Sequence, residues 1–339
     1  MTIRKYALAL AGALSLLSAA SIATPPAEAR ELRVSTFEPP QAFLARQLAK
    51  WIEIVGPKLS DGTSLRLFPG ALLGAPPAQQ ELVRKGVADI AFVVTGYTPG
   101  VFPRTSVANL PFIAQTSKIG TTVVHTLLEE GALGNEYGDF KVIGLFTTNG
   151  YSIFSKKEVN VPGDIAGLKL RTHDALASQI LGLMGANGVG LPAPQTYEAI
   201  ERGVVDGAVF NFTAAKDFRV PEVTTNATYV PITNTVLAVL MNRAAYEGLS
   251  EADRKVIDEY SGAWFADWIA TLNDEDELAK RKEMADGGLK VNILEPGQFG
   301  PWQQATAKAE EIWLKTLADQ NIDGKPILER AHAIAAGTR

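Results

Sequence analysis

The sequence predicts an α/β protein with two lobes, each built on its own sheet, and a ligand cleft between the lobes. The first supporting observation is a strand–helix unit: residues 32–36 alternate like a strand, and an apolar stripe over 43–55 predicts an amphipathic helix that Gly56-Pro57 ends. The second is the length of 339 residues, which suggests two domains.

The third observation is a pair of internal similarities. LRVSTFE (32–38) resembles LKLRTHD (168–174), and ELVRKGVADIAFV (81–93) resembles EAIERGVVDGAVF (198–210). Chance similarity among common α/β patterns is the alternative, but the two pairs occur in the same order, which favours a repeated unit. Repeated βαβ units imply one sheet in each lobe.

Composition excludes several functional classes. The chain has 46% hydrophobic and 20% charged residues and a net charge of −5, which argues against a nucleic-acid-binding surface. It contains no cysteine, which excludes disulfides, thiolate nucleophiles and iron–sulfur clusters. We therefore expect no nucleic acid among the partners of this protein.

The first 29 residues resemble a secretory signal. Arg4 and Lys5 precede an uncharged run over 6–23, and Ala27-Glu28-Ala29 forms an A-x-A cleavage pattern. The alternative is an uncleaved membrane anchor, because the run could just span a bilayer. We expect cleavage before Arg30 and export of the mature protein to the periplasm.

The remaining elements follow the same α/β pattern until the chain becomes helical. Strands are predicted over 65–68 and 89–94, with a short helix over 77–85 between them. In the C-terminal third, Ser250 is the predicted N-cap of a helix through Leu272, with an extension up to Met284. The acidic run 273–277 is interpreted as a solvated helix face rather than a calcium site. A further helix is predicted over 301–317.

No pattern of catalytic residues stands out. The three histidines have no metal-binding spacing, and no G-x-S-x-G motif occurs. The glycine-rich segment 182–190 lacks the dinucleotide fingerprint and follows a predicted helix, so we interpret it as a helix end and turn. We expect a protein that is not an enzyme and has neither a cofactor nor a metal. An exported enzyme that uses the same lobes remains the alternative.

Arg171 is the principal candidate for ligand binding. It stands at the carboxyl end of the strand predicted over 168–171, where ligands bind in open α/β sheets. Its planar guanidinium matches a carboxylate in a bidentate fashion. The alternative is a surface or ion-paired arginine. His173, two residues later, is expected to line the same cleft.

These segments, taken together, resemble the DctP-type solute-binding proteins of tripartite ATP-independent periplasmic (TRAP) transporters. The resemblance covers nearly the whole mature chain and rests on LRLFPGALLG (65–74), ELVRKGVADIAF (81–92), NLPF (109–112), DIAGLKLRT (164–172) and YEAIERGVVDGA (197–208). It implies a periplasmic binding protein fold, with crossover strands and a long helix bridging the lobes. The lobes would close over a small organic acid and deliver it to membrane permease subunits.

The resemblance also implies lobe boundaries and further site residues. Lobe I would comprise 30–148 and 236–275, and lobe II 149–235 and 276–339. Arg171 matches the family's signature arginine. Compared with sialic-acid-binding members, Tyr151 replaces an arginine, Phe210 an asparagine and Val94 an acidic residue, with Asn211 and Thr95 next to the last two. The other predicted ligand contacts are Thr36, Phe37, Thr95, Asn211 and Asn234. Whether Phe210 and Phe212 line the pocket or the core stays open here.

These replacements imply a less polar pocket with one strong anion anchor. A polyol would leave buried hydroxyl groups without partners. A monocarboxylate with an apolar or aromatic body, or a 2-oxo or 2-hydroxy acid, fits better. A C4-dicarboxylate in the same role is the alternative ligand. A sensor module that presents its ligand to a membrane receptor is the alternative role.

Overall fold

The computed structural model describes residues 30–60 and 62–338. The predicted signal segment, 1–29, lies outside the described residues. Among the helices that are described, none has the length and apolar character needed to cross a membrane.

Eleven strands of the described residues form two mixed sheets. They are β1 (Arg30–Ser35), β2 (Thr63–Phe68), β3 (Ile90–Val94), β4 (Phe140–Thr147), β5 (Ser152–Ser155), β6 (Lys169–Thr172), β7 (Asn187–Gly190), β8 (Gly207–Phe210), β9 (Asn226–Tyr229), β10 (Val236–Asn242) and β11 (Lys290–Ile293). The first sheet has the order β2-β1-β3-β10-β4 and the second β11-β9-β5-β8-β6-β7.

Helices cover both faces of each sheet. They are α1 (Phe43–Val55), α2 (Gln79–Arg84), α3 (Ser117–Glu129), α4 (Ala175–Leu183), α5 (Thr196–Glu201), α6 (Phe212–Asp217), α7 (Arg243–Glu247), α8 (Glu251–Glu259), α9 (Ala263–Asp286), α10 (Gly300–Ala305), α11 (Ala309–Ala318) and α12 (Lys325–Gly337). Because both faces are covered, strands such as β3 are buried along their whole length.

The two sheets repeat one pattern, as the internal similarities predict. In the first sheet β1 pairs in parallel with β2 and β3, and β10 runs antiparallel between β3 and β4. In the second sheet β6 pairs in parallel with β7 and β8, and β5 runs antiparallel between β8 and β9. The strands β5 and β10 thus occupy equivalent positions in the two sheets. The chain passes from the first sheet to the second between β4 and β5, and returns to the first sheet between β9 and β10.

The repeated aspartate has the same structural role in both copies. The Asp89 carboxylate accepts a hydrogen bond from the Arg33 amide at 2.8 Å, and the Asp89 amide donates to the Arg33 carbonyl at 3.0 Å. Asp206 makes the same two bonds to Lys169, at 2.8 and 2.7 Å. Each aspartate therefore joins the end of a helix–turn segment to the neighbouring parallel strand.

The long C-terminal helix predicted from 251 to 284 is two helices. Ser250 caps α8, as predicted, by accepting a bond from the Asp253 amide at 3.0 Å. The chain then breaks at Gly262, whose φ of 59° and ψ of −125° are accessible to glycine and strained for other residues. The following helix, α9, packs against α3 and β4 of the first lobe and against α6 and β11 of the second. It therefore bridges the lobes.

Three other sequence expectations differ from the structure. The helix predicted over 301–317 is divided into α10 and α11. The segment 182–190 contains β7 as well as a helix end and turn, and this strand forms the edge of the second sheet. The terminal helix α12 packs on α3, beside the first sheet. The assignment of 276–339 to lobe II stays a prediction, which this last contact does not support.

Candidate functional site

A cavity lies between the two lobes. About 520 Å³ of space in and at the mouth of this cavity is free of protein atoms. Its walls come from both sheets and from the helices α1, α6 and α9. The lining residues are Phe37, Glu38, Phe43, Leu44, Phe92, Val94, Tyr97, Thr148, Tyr151, Arg171, His173, Ala193, Phe210, Asn211, Thr213, Ala214, Asp217, Phe218, Thr235, Leu237 and Asn273.

Arg171 is held in this cavity by three contacts. Its side chain leaves β6, and its Nε donates to the Leu191 carbonyl at 2.9 Å. Its Nη2 donates to the Tyr97 hydroxyl at 3.3 Å, and the guanidinium carbon lies 4.1 Å from the centre of the Phe210 ring. The residue is only 1% exposed, yet Nη1 has no partner among the described residues. A buried cation with an unused donor favours an anionic ligand.

Tyr97 is a part of this site that sequence reasoning missed. Its hydroxyl oxygen accepts the bond from Arg171 and another from the Ala193 amide at 2.8 Å. Burial raises the pKa of Tyr97 above its ordinary value, so the hydroxyl remains protonated at neutral pH. The only hint in the sequence was its place two residues after Thr95, which was predicted instead.

The cavity brings together six of the nine predicted ligand contacts, namely Arg171, Tyr151, Phe210, Asn211, Phe37 and His173. The Tyr151 hydroxyl is hydrogen-bonded to Thr235, and burial raises its pKa. Phe210 lies under the guanidinium, whereas Phe212 packs edge-on against Phe154, with ring centres 5.3 Å apart. Phe210 therefore belongs to the cavity wall and Phe212 to the core.

The other three predicted contacts do not border this cavity. Thr36 accepts a bond from the Glu38 amide at 3.2 Å, and Thr95 donates to the Val236 carbonyl at 3.0 Å. Asn234 donates to the Ala108 carbonyl at 2.8 Å. All three side chains hold neighbouring backbone in place, so their role as ligand contacts stays a prediction without a contact here to support it.

Two carboxyl groups in the cavity wall were not predicted. Asp217, at the end of α6, accepts a bond at 2.8 Å from the Phe43 amide, the first residue of α1. Burial raises the pKa of Asp217 to about 6. Glu38 lies nearby; burial, and to a lesser degree the Asp217 charge, raises its pKa to about 8. Glu38 is therefore mostly protonated at neutral pH, and the cavity has less negative charge than its carboxyl groups suggest.

His173 and Asp174 lie beside the cavity, and Asp174 contacts Asn109 and Gly96 of the opposite lobe. The His173 ring lies edge-on to Tyr151 with ring centres 5.5 Å apart, and its Nε2 is 3.2 Å from the Asp174 carboxylate. Asp174 caps α4 and also accepts a bond from the Asn109 side chain at 3.0 Å. Gly96, in the turn after β3, lies so close that a Cβ there would be 2.9 Å from the Asp174 Cβ.

We expect the Gly96→Ala variant to bind ligand about five- to one-hundred-fold more weakly, because the added methyl group strains the contact between lobes. The contact involves two atoms close to the backbone, so neither can rotate away. Calorimetric titration measures the effect, and Gly163→Ala is the matched control because its Cβ would meet nothing within 4 Å. Equal affinities of Gly96→Ala and the unmodified protein would contradict the prediction.

Comparison with known proteins agrees with this architecture. The family model for DctP, bacterial extracellular solute-binding protein family 7, matches residues 34–316. A TRAP solute-binding protein from a marine metagenome, described as specific for aromatic acid ligands and solved with 3-hydroxybenzoate, is 28% identical. It covers 92% of this chain and 99% of its own, with a TM-score of 0.88.

Two further solved structures have comparable similarity. A TRAP solute-binding protein from Rhodoferax ferrireducens T118, in complex with copurified benzoate, is 26% identical over 91% of this chain and 98% of its own, with a TM-score of 0.86. A TRAP periplasmic solute-binding protein from Bordetella bronchiseptica, with bound (R)- and (S)-mandelate, is 27% identical over 91% of this chain and 100% of its own, with a TM-score of 0.82. Since the family model spans most of the sequence and the fold agrees with it, this chain belongs to the DctP family, family 7 of the bacterial extracellular solute-binding proteins.

Proposed function

We propose that this protein captures a small organic monocarboxylate with an aromatic or other apolar body and delivers it to a TRAP permease. The observation that carries the proposal is the buried Arg171 guanidinium, whose Nη1 has no partner in the described residues, at one side of a cavity with mainly apolar walls. The guanidinium would hold the carboxylate, and the aromatic walls would surround the body of the acid.

The charges around the cavity favour a monocarboxylate over a dicarboxylate. Arg171 is the only lysine or arginine among the lining residues, whereas Glu38 and Asp217 also border the space. A second ligand carboxylate would therefore have no lysine or arginine partner in the described lining. It would also meet the negative charge of Asp217, which is mostly ionised at neutral pH. The apolar walls likewise disfavour a sugar acid, because each unpaired buried hydroxyl costs about 1–3 kcal/mol.

Related proteins of known structure agree with this ligand class. The three structures described above hold 3-hydroxybenzoate, benzoate and mandelate, all of which are aromatic monocarboxylates. In this chain we assign the carboxylate contact to Arg171 and the walls to Phe37, Tyr151, Phe210 and His173. We place the mature protein, after cleavage before Arg30, in the periplasm, where it acts as a carrier and not as an enzyme.

A ligand screen tests this proposal. The mature chain, 30–339, is freed of bound molecules by unfolding and refolding, and its Tm is then measured with benzoate, mandelate, lactate, pyruvate, succinate and glucuronate. An acid present at 100 times its Kd adds about 2.7 kcal/mol to the free energy of unfolding. We expect the largest increase in Tm with the aromatic monocarboxylates. A preference for succinate or glucuronate would contradict the proposed ligand class.

A further inference from the structure

Glu277 is a buried carboxylate on the bridging helix α9 that holds the start of α6. Its oxygens accept bonds from the Phe212 amide at 2.9 Å and the Thr213 amide at 3.0 Å. A third bond comes from the Asn211 side chain, whose Nδ2 lies 3.1 Å from Glu277 Oε2. Glu277 is 7% exposed and does not border the cavity itself. It can therefore affect a ligand only through the residues it holds.

This arrangement determines how Asn211 faces the cavity. An ionised carboxylate accepts hydrogen bonds and donates none, so the Asn211 amide must turn its NH₂ group toward Glu277. Asn211 is 1% exposed and lines the cavity, and its Oδ1 has no partner among the described residues. The cavity wall thus contains a buried acceptor oxygen that a ligand donor could satisfy.

We propose that Glu277 is a positioning residue for ligand specificity. By fixing Asn211 with its oxygen toward the cavity, it makes the site select carboxylic acids that also carry a hydroxyl donor. The same acid without the hydroxyl leaves Oδ1 buried and unpaired, and such a site rejects the analogue strongly. The inference rests on the proposed function, since it assumes that Arg171 holds the ligand carboxylate.

The test uses two pairs of acids that differ by one ring hydroxyl: 3-hydroxybenzoate with benzoate, and 3-hydroxyphenylacetate with phenylacetate. Each Kd is measured by calorimetry in the unmodified protein and in the Glu277→Gln variant. Burial raises the pKa of Glu277 to about 7, so titration at about pH 8.5 keeps it ionised. We expect the unmodified protein to prefer the hydroxylated acid of at least one pair by about ten- to one-hundred-fold.

In Glu277→Gln, the new amide can donate to Asn211 Oδ1, so Asn211 can turn its NH₂ group to the cavity. We expect the preference for the hydroxylated acid to disappear while the acid without hydroxyl still binds. If Glu277 only stabilised the local structure, the Glu277→Gln variant would raise the Kd of both acids of a pair by the same factor. The control is Glu283→Gln on the same helix, which alters two ion pairs, one with Lys216 and one with Lys280, at a glutamate side chain that is 47% exposed.

A second variant keeps the inference testable if Glu277→Gln does not fold. Asn211→Ala removes the acceptor oxygen and leaves Glu277 its two backbone donors, so it too should lose the preference. An equal affinity for both acids of each pair in the unmodified protein overturns the inference and leaves the proposed function standing. A preference that survives in Glu277→Gln or in Asn211→Ala also overturns it. Failure of all four acids to bind also overturns the inference, and the wider ligand screen then decides the proposed function separately.

Discussion

The Arg171→Ala variant is expected to bind its organic acid about thirty-fold more weakly or worse, while the protein still folds. Losing a buried, charged hydrogen bond of this kind costs about 2–5 kcal/mol, and a Kd changes tenfold for about every 1.4 kcal/mol. The lining offers the carboxylate no second lysine or arginine. The fold should tolerate the change because a buried cation without a counterion contributes little to stability.

The Arg171→Lys variant tests how much of the binding depends on the positive charge and how much on the planar guanidinium. A lysine keeps the positive charge but loses the planar fork, the bond to the Leu191 carbonyl and the stacking on Phe210. We expect a Kd between those of the unmodified protein and Arg171→Ala. Arg66→Ala is the matched control, since Arg66 also stacks on a phenylalanine, with its guanidinium 5.0 Å from the Phe68 ring, but its side chain is 64% exposed and outside the cavity. An unchanged Kd in Arg171→Ala would show that Arg171 does not bind the ligand carboxylate.

The Glu38→Gln variant is expected to become more stable than the unmodified protein as the pH rises from about 4.5 to about 8. Burial raises the pKa of Glu38 from 4.5 to about 8 in the folded protein. Between these values the folded state holds a proton that the unfolded chain releases, so unfolding is favoured as the pH rises. The full shift corresponds to at most about 5 kcal/mol, at about 1.36 kcal/mol for each unit of pKa.

Glutamine has the shape of the protonated acid and cannot ionise, so it removes this loss of stability. The measurement is the free energy of unfolding in urea at a series of pH values, taken as the difference between variant and unmodified protein. Taking the difference removes the contributions of Asp217 and Glu277, whose raised pKa values act in the same direction. Glu251→Gln, at a side chain that is 77% exposed, is the control. Two parallel stability curves would show that Glu38 is not a perturbed group.

The sequence alone predicted the repeated architecture and the position of Arg171 at the cleft. Both predictions depend on local pattern. The segment around Asp89 recurs around Asp206, and each aspartate bonds to the neighbouring strand in the same way. Arg171 lies near the carboxyl end of a short alternating strand, and in an open α/β sheet that end is the ligand-binding edge. These patterns can be seen in the sequence because the hydrogen bonds that they specify are made within one continuous βαβαβ segment of each lobe.

Side-chain direction in the loops was not predictable in the same way. Resemblance placed Thr36, Thr95 and Asn234 near the cavity, but each side chain bonds to a backbone carbonyl or amide instead. The direction of a loop side chain depends on backbone torsions that alignment does not specify. The break at Gly262 was missed for a related reason: the apolar pattern continues through it, and only the torsion angles show that the helix stops.

Only the tertiary structure decided which other residues meet at the site. Tyr97 reaches Arg171 across 74 positions of sequence, Asp217 reaches Phe43 across 174, and Asn211 reaches Glu277 across 66. No periodicity links such distant positions. They are brought together because the chain passes to the second sheet at β5 and back to the first sheet at β10, and because α9 packs against both lobes. The local sequence thus determined the repeated strand–helix units and the position of Arg171. The tertiary structure alone decided that Glu38, Tyr97 and Asn211 lie around the same cavity, because that depends on how the chain passes between the two lobes.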